Sequence, residues 1–367
     1  MKLEGLKVLD LSLFLPGPWL TQAMSDHGAD VIKIEPPTGE PVRNVGYRQN
    51  GESVWFRNTH RGKRSIVLDL KTDQGRQEFL SLARQADVVV EAFRPGVVNR
   101  LGVDYETLRK ENPGIVYASI SAFGQHGPLA KVPAHDVGME AYAGVVSLNL
   151  GQDGKPTMPH MPVADILGSF TALSAILMAL LRRQTTGLGD YIDVSMYDAT
   201  LAWLPNVTGP VFAENRAPKP KEERSFGAYA FYNLYECQDG RWIALCGIEH
   251  KFIQNFLTAV GRPDLIEKAF GPIGQSQEEV KAALSAIILG RTRADWEQFA
   301  QQNDVALAPV LDLKEAFDHP NTQAREMVLY DEVGNPHIGT PFRFKDEPAK
   351  IRFTLPKLAE HNGEDFH

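Results

Sequence analysis

The chain predicts an α/β fold, with a Rossmann-like large domain followed by a smaller α+β domain. Three observations carry that prediction. Short apolar strand patterns alternate with amphipathic helix patterns through the first half, which is the pattern of a mostly parallel sheet covered by helices on both faces. The length of 367 residues, 43% of them hydrophobic, is ample for a large core and long for one small domain. The charged, proline-rich stretch APKPKEERSFG at 217–227 has linker composition and separates two differently patterned regions.

The elements follow in order. LKVLDLS (6–12) reads as a buried strand, and WLTQAMSDHGA (19–29) as a helix opened by the Pro-Gly-Pro turn before it. DVIKIEPP (30–37) is a strand stopped by its proline pair, and SIVLDL (65–70) is another. DQGRQEFLSLARQA (73–86) has helical apolar spacing, DVVVEAF (87–93) is a strand, VDYETLRKENP (103–113) a short helix, and GIVYASISAFG (114–124) a strand. ILGSFTALSAILMALLRRQTTGLG (166–189) is a long apolar helix ended by a glycine-rich turn; DYIDVSMYDATLAWL (190–204) is a strand and a helix. Beyond the linker, YAFYNLYECQDGRWIALCGIE (229–249) reads as two strands joined at Gln238-Asp239-Gly240. Helical patterns follow at 250–261, 276–290 and 292–303. The proline-broken tail PFRFKDEPAKIRFTLPKL (341–358) is expected to return to the large domain. The expected boundaries are 1–200 for the large domain, 201–225 for the linker, 226–318 for the small domain and 319–367 for the returning segment.

Composition excludes several classes. A formal net charge of −8 argues against a nucleic-acid partner. Asp10 interrupts the apolar N-terminal stretch and Pro16 and Pro18 end it, so no membrane span or signal peptide is expected there. Cys237 and Cys246 fit no CxxC spacing and are expected to be buried free thiols. These features predict a soluble protein of the cytoplasm or an organelle matrix, with no membrane partner. The first strand is followed by SLFLPGPWL instead of GxGxxG, so NAD is not expected as a cofactor.

The stretch KVPAHDVGME (131–140) sets His135 beside Asp136 where an apolar run begins. Taken alone, His135 reads as an ordinary packed or exposed residue, Asp136 and Asp165 as helix caps, and Glu249 as a surface acid. Arg61, Lys63 and Arg64 form a basic cluster that reads as a solvated face or a phosphate contact, and His160 reads as structural.

Strings spread along the chain resemble one family. PGPWLTQAMSDHGADVIKIEPPTGEPVR, RGKRSIVLDLKT, ADVVVEAFRPGVVNRLGVDYETL, NPGIVYASISAFGQHGP, TGLGDYIDVSMYDA and APVLDLKEAFDHPNTQAR are similar to the family III CoA-transferases (CaiB/BaiF), whose fold the α-methylacyl-CoA racemases share. The resemblance implies an interlocked, ring-like homodimer and an acyl-CoA substrate held mainly by the Rossmann-like domain. It implies no cofactor beyond the CoA moiety of that substrate, and no metal. Asp165, in PVADILGS, matches the aspartate that both branches share. The racemase branch adds a histidine in a His-Asp pair and a glutamate in a GxIEPxF-like string; His135-Asp136 and Glu249, in CGIEHKF, match these. The chain departs from the racemase pattern at Ala134, at Val137-Gly138 and at His250, and it lacks the glycine run after the aspartate. Arg43, Lys71 and Arg100 match positions that meet CoA phosphates, and Leu68 and Phe93 match positions along the adenine and pantetheine path. Ala92 stands where many transferases have asparagine.

This set suits 1,1-proton transfer through a thioester enolate. Inversion needs one group on each face of the α-carbon, and His135 and Asp165 would supply them. Glu249 would orient His135 and favour its protonated form. Burial would let the Asp165 carboxyl hold a proton, and backbone N–H groups near Asp136 would face the enolate oxygen. The leading expectation is therefore a 2-methylacyl-CoA racemase. The alternative is a CoA-transferase in which Asp165 is a nucleophile and neither His135 nor Glu249 is needed.

Overall fold

Six strands build one parallel sheet: β1 (Lys7–Asp10), β2 (Asp30–Glu35), β3 (Arg64–Val67), β4 (Val88–Glu91), β5 (Val116–Ser121) and β6 (Tyr191–Ser195). Their spatial order is β3-β2-β1-β4-β5-β6. Apolar residues run continuously in the central strands because both faces are covered. Val8, Val88, Val90, Val116 and Ala118 point into one core, and Leu9, Val89 and Tyr117 into the other. The first core is closed by α1 (Pro16–Asp26), α3 (Asp136–Tyr142) and α4 (Val163–Thr186), and the second by α2 (Asp73–Ala83). α1 starts on a proline, which tolerates a first-turn position because its missing N–H would be unpaired there anyway. Gly17 is required: a Cβ on it would lie 2.1 Å from Ser12 Cβ, where the strand-to-helix turn doubles back.

The chain is described here by a computed structural model covering residues 1–151 and 153–367. It divides into two units, the first made of Met1–Val146, Met158–Trp203 and Pro320–His367, the second of Ser147–Thr157 and Leu204–His319. The stretch expected as a linker at 201–225 thus belongs from Leu204 to the second unit, and Pro210 helps start a helical turn at Gly209–Glu214. Residues 147–157, expected in the large domain, also fall in the second unit.

α4 is long and apolar enough to cross a bilayer by length and composition. Its stripe Ala164, Gly168, Ala172, Ile176 and Leu180 is buried in the first core, as a core helix would be. Leu177, Met178 and Leu181 stand on its exposed face.

In the second unit, β7 (Tyr232–Glu236), β8 (Trp242–Cys246) and β9 (Leu307–Pro309) form an antiparallel sheet ordered β9-β8-β7. The turn at 238–240 is present, with Gly240 at φ +71°, whereas β9 lies outside the expected strands. Helices α6 (His250–Ala259), α7 (Gln275–Ile288) and α8 (Arg293–Asn303) close a core in which Phe256 stacks on Trp296. Cys237 is buried, but Cys246 is exposed: it ends β8 on the side away from that core. In the first unit the returning segment reaches β3, where Asn362 accepts the Val67 N–H at 2.8 Å and Phe366 enters the second core.

Candidate active site

The strand order reverses between β1 and β4, each continuing outward on opposite sides. In open parallel sheets such a switch point leaves a crevice beyond the carboxyl ends of the strands, the usual ligand site. Two cavities of the first unit open there. One, of about 320 Å³, is lined by Leu11, Leu68, Lys71, Val97 and Arg100 among others. The other, of about 430 Å³, carries Phe14, Ala92, His135, Met139, Asp165 and Met196. Leu13, after β1, and Phe93, after β4, belong to the walls of both.

Asp165 occupies the third position of α4. A helix N-terminus favours a negative charge there. Burial and the neighbouring Asp136 charge outweigh this and push the carboxyl up to about 7. Asp136 opens α3 and accepts the Asp165 backbone N–H at 3.0 Å. His135 is the N-cap residue of α3 and is exposed on the wall of the larger cavity, its ring edge-on to Phe14 at 6.1 Å between centroids. The N–H groups of Gly138 and Met139 bond to the His135 carbonyl. These two N–H groups are therefore not available to an enolate oxygen.

Glu249 lies in the second unit, at the N-cap of α6. It lines a cavity of about 460 Å³ with Asn206, Arg224 and Cys246. Gly247 beside it allows a close approach: a Cβ there would meet Ala306 Cβ at 2.5 Å. Glu249, expected to orient His135, belongs to the second unit, and His135 to the first.

Of the five residues expected to bind CoA, Leu68, Lys71, Phe93 and Arg100 meet in the smaller cleft. Arg43 does not line it. Its guanidinium forms two bonds to Glu35, at 2.6 and 2.8 Å, donates to the Pro356 carbonyl and covers the Phe56 ring. The basic cluster is not a solvated face. Arg61 pairs with Asp26 at 2.6 Å, Lys63 with Asp10 at 2.9 Å and Arg64 with Asp30 at 2.6 Å, all buried or nearly so. The partners lie more than 30 residues away in the chain, so local sequence cannot reveal them. His160 is exposed.

Three site residues had no sequence signal. Phe14 holds a left-handed φ of +63°, unusual for an aromatic residue. Glu40 fixes it by accepting the Phe14 N–H at 3.0 Å, while Lys33 pairs with Glu40 and binds the Ser12 carbonyl. Glu91 is buried at the end of β4, accepts the Phe93 N–H at 2.7 Å and is pushed up to about 7 by burial. Glu140 is buried on α3, one turn after Asp136.

The fold and these cavities define an α/β protein with a carboxyl-centred site beside a cleft at the sheet's switch point. The chain belongs to CoA-transferase family III, whose sequence profile matches residues 3–362. It is 37% identical to the acetyl-CoA:oxalate CoA-transferase of Acetobacter aceti, over 98% of this chain and 94% of that one. It is 30% identical to the human α-methylacyl-CoA racemase, over 100% of this chain and 90% of that one. The solved structure of Rv3272 from Mycobacterium tuberculosis superposes with a TM-score of 0.86 at 30% identity, covering 98% and 97% of the two chains. A CaiB/BaiF family protein from Brucella suis gives 0.85 at 33% identity, with the same coverage of 98% and 97%. The mixed α/β architecture with a parallel central sheet is thus that of the family, and the protein is an enzyme of the transferase and racemase superfamily.

Proposed function

We propose that the protein is a CoA-transferase that moves CoA between carboxylic acids, with Asp165 as its nucleophile. One observation carries this reading: Asp165 lines a cavity that shares Leu13 and Phe93 with the cleft holding Lys71 and Arg100. CoA phosphates would meet the two cations and the pantetheine arm would pass Leu13 and Phe93, bringing the thioester to Asp165. The activity named for the Acetobacter aceti relative supports the same choice over the racemase.

The chemistry follows from a partly desolvated carboxylate. Ionised Asp165 attacks the thioester carbonyl, forming a mixed anhydride and releasing the CoA thiolate. The thiolate then attacks the aspartyl carbonyl, freeing the donor acid and leaving an aspartyl-CoA thioester. An incoming carboxylate attacks that thioester to give a second mixed anhydride and the thiolate. Attack of the thiolate on the new acyl carbonyl yields the product acyl-CoA and restores Asp165. The cavity keeps water from the anhydride and holds the partners close. The working form in this reading is the interlocked homodimer; the exposed Leu177, Met178 and Leu181 on α4 supply apolar surface for a partner copy.

Racemase chemistry is the second reading, favoured by His135 on the same cavity wall as Asp165. One experiment separates them. The protein is incubated with a 2-methylacyl-CoA in D₂O, and in parallel with acyl-CoA and hydroxylamine. Transferase chemistry gives an aspartyl hydroxamate at Asp165, located by mass spectrometry, and no deuterium on the α-carbon. Deuterium uptake without hydroxamate would replace the transferase reading with the racemase.

A further inference from the structure

We propose that Glu140 is a positioning residue that keeps a proton and donates it in a hydrogen bond to the Asp136 carboxylate, so that α3 holds the first turn of α4 and sets the Asp165 carboxyl. The inference rests on the reading that Asp165 is the reacting group, in either CoA chemistry.

Glu140 has no exposed surface. Its Oε1 accepts the Val163 N–H at 3.4 Å, a long bond to the first residue of α4. Its buried Oε2 has no N–H or O–H donor among the described residues. Asp136 stands one turn earlier on the same helix, at i and i+4, where side chains are neighbours, and its carboxyl acts on that of Glu140. Two carboxyl groups in such contact cannot both be ionised, so one keeps a proton. Asp136 already accepts the Asp165 N–H at 3.0 Å, which stabilises its ionised form. Glu140 has only the long Val163 contact to stabilise a charge, so the proton belongs on Glu140.

The surrounding groups favour the same assignment. On α3 itself stand His135 at the cap, Asp136 and Tyr142; α4 contributes Asp165; and α5 (Met196–Ala202), packed against α3, carries Tyr197 and Asp198. Burial, then Asp136, then Asp165 push the Glu140 carboxyl up to about 7. The protonated chain runs from Glu140 to Asp136 to the Asp165 N–H, with Val163 as a second anchor. When Glu140 ionises, it repels Asp136, and the first turn of α4 loses its brace. Catalysis therefore carries an alkaline limb that belongs to Glu140.

The test compares Glu140→Gln with Glu140→Leu in the full chain. Gln is neutral, donates to Asp136 and accepts from Val163, so kcat at pH 6.5 should stay within about threefold of the original and the alkaline limb should vanish. Leu makes neither bond, and kcat should fall roughly 10- to 100-fold with KM for acyl-CoA changed less than about threefold. Equal impairment of the two variants, or an unchanged alkaline limb in Glu140→Gln, would overturn the proposal. A second readout does not depend on activity. With ¹³C-carboxyl glutamate, the resonance missing from Glu140→Gln should titrate near pH 7 in the original protein; titration in the ordinary range of about 4 to 5 would overturn the proposal. If the original protein shows neither CoA transfer nor α-proton exchange, the functional reading fails while this titration still decides the proton on Glu140.

Discussion

The Asp136 side chain accepts a hydrogen bond from the backbone N–H of Asp165 at 3.0 Å, joining α3 to the start of α4. Twenty-nine residues of chain separate the two aspartates, and the contact places a negative charge beside the Asp165 carboxyl. Several consequences of this arrangement are measurable.

Asp165→Asn should abolish CoA transfer and hydroxamate formation, with kcat down at least about 10³-fold, because an amide cannot form the anhydride. Substrate binding should change little, measured by calorimetry with a non-transferable acyl-CoA analogue.

In the transferase reading, transfer requires ionised Asp165, whose carboxyl is raised to about 7 by burial and by Asp136. In Glu140→Gln, which lacks the alkaline limb, the rate of the first half-reaction should therefore climb as pH rises through 7 and then level off. The stability sign is opposite. The folded state binds this proton more tightly than the unfolded chain, so stability is fullest below the unfolded pKa and falls as pH rises through the folded one. Asp165→Asn should remove that decline, seen as a Tm that exceeds that of the original protein by more at pH 8 than at pH 5.

His135→Ala separates the two chemistries. Transferase activity should survive within about tenfold, since the histidine only shapes the cavity beside Phe14 in that reading. Near-total loss of hydroxamate formation in this variant would count against it.

Lys71 and Arg43 should behave differently although both matched CoA-binding positions. Lys71→Ala should raise KM for acyl-CoA about three- to tenfold, an effect that shrinks with added salt, and leave Tm alone. Arg43→Ala strands the Glu35 carboxylate and should cost about 3 kcal/mol of stability, read by urea unfolding.

Asp10 shows how far the buried network supports the site. Burial pushes its carboxyl up, yet Lys33 and Lys63 more than offset this and hold it well below the usual carboxylate range. Asp10→Asn should destabilise the fold by about 3 kcal/mol and loosen the 12–16 turn that carries Phe14, seen as faster amide exchange at Phe14.

The sequence by itself determined the class of fold and the family. Continuous apolar strands such as VVVE at 88–91 imply coverage on both faces, and amphipathic spacing such as that of 73–86 places the helices, because both signals repeat over a few residues. Leu68, Lys71, Phe93 and Arg100 were legible through family strings, and they do share a cleft. Tertiary structure decided what each charge is for. Arg61, Lys63 and Arg64 look alike in sequence, and only packing against Asp26, Asp10 and Asp30 turns them into buried ion pairs. Arg43 matched a phosphate position, and only Glu35 and Pro356 show its guanidinium to be engaged. Glu140 gave no signal at all, because its role depends on losing water and meeting Asp136 and Val163, and desolvation is a property of the folded surroundings instead of the local string.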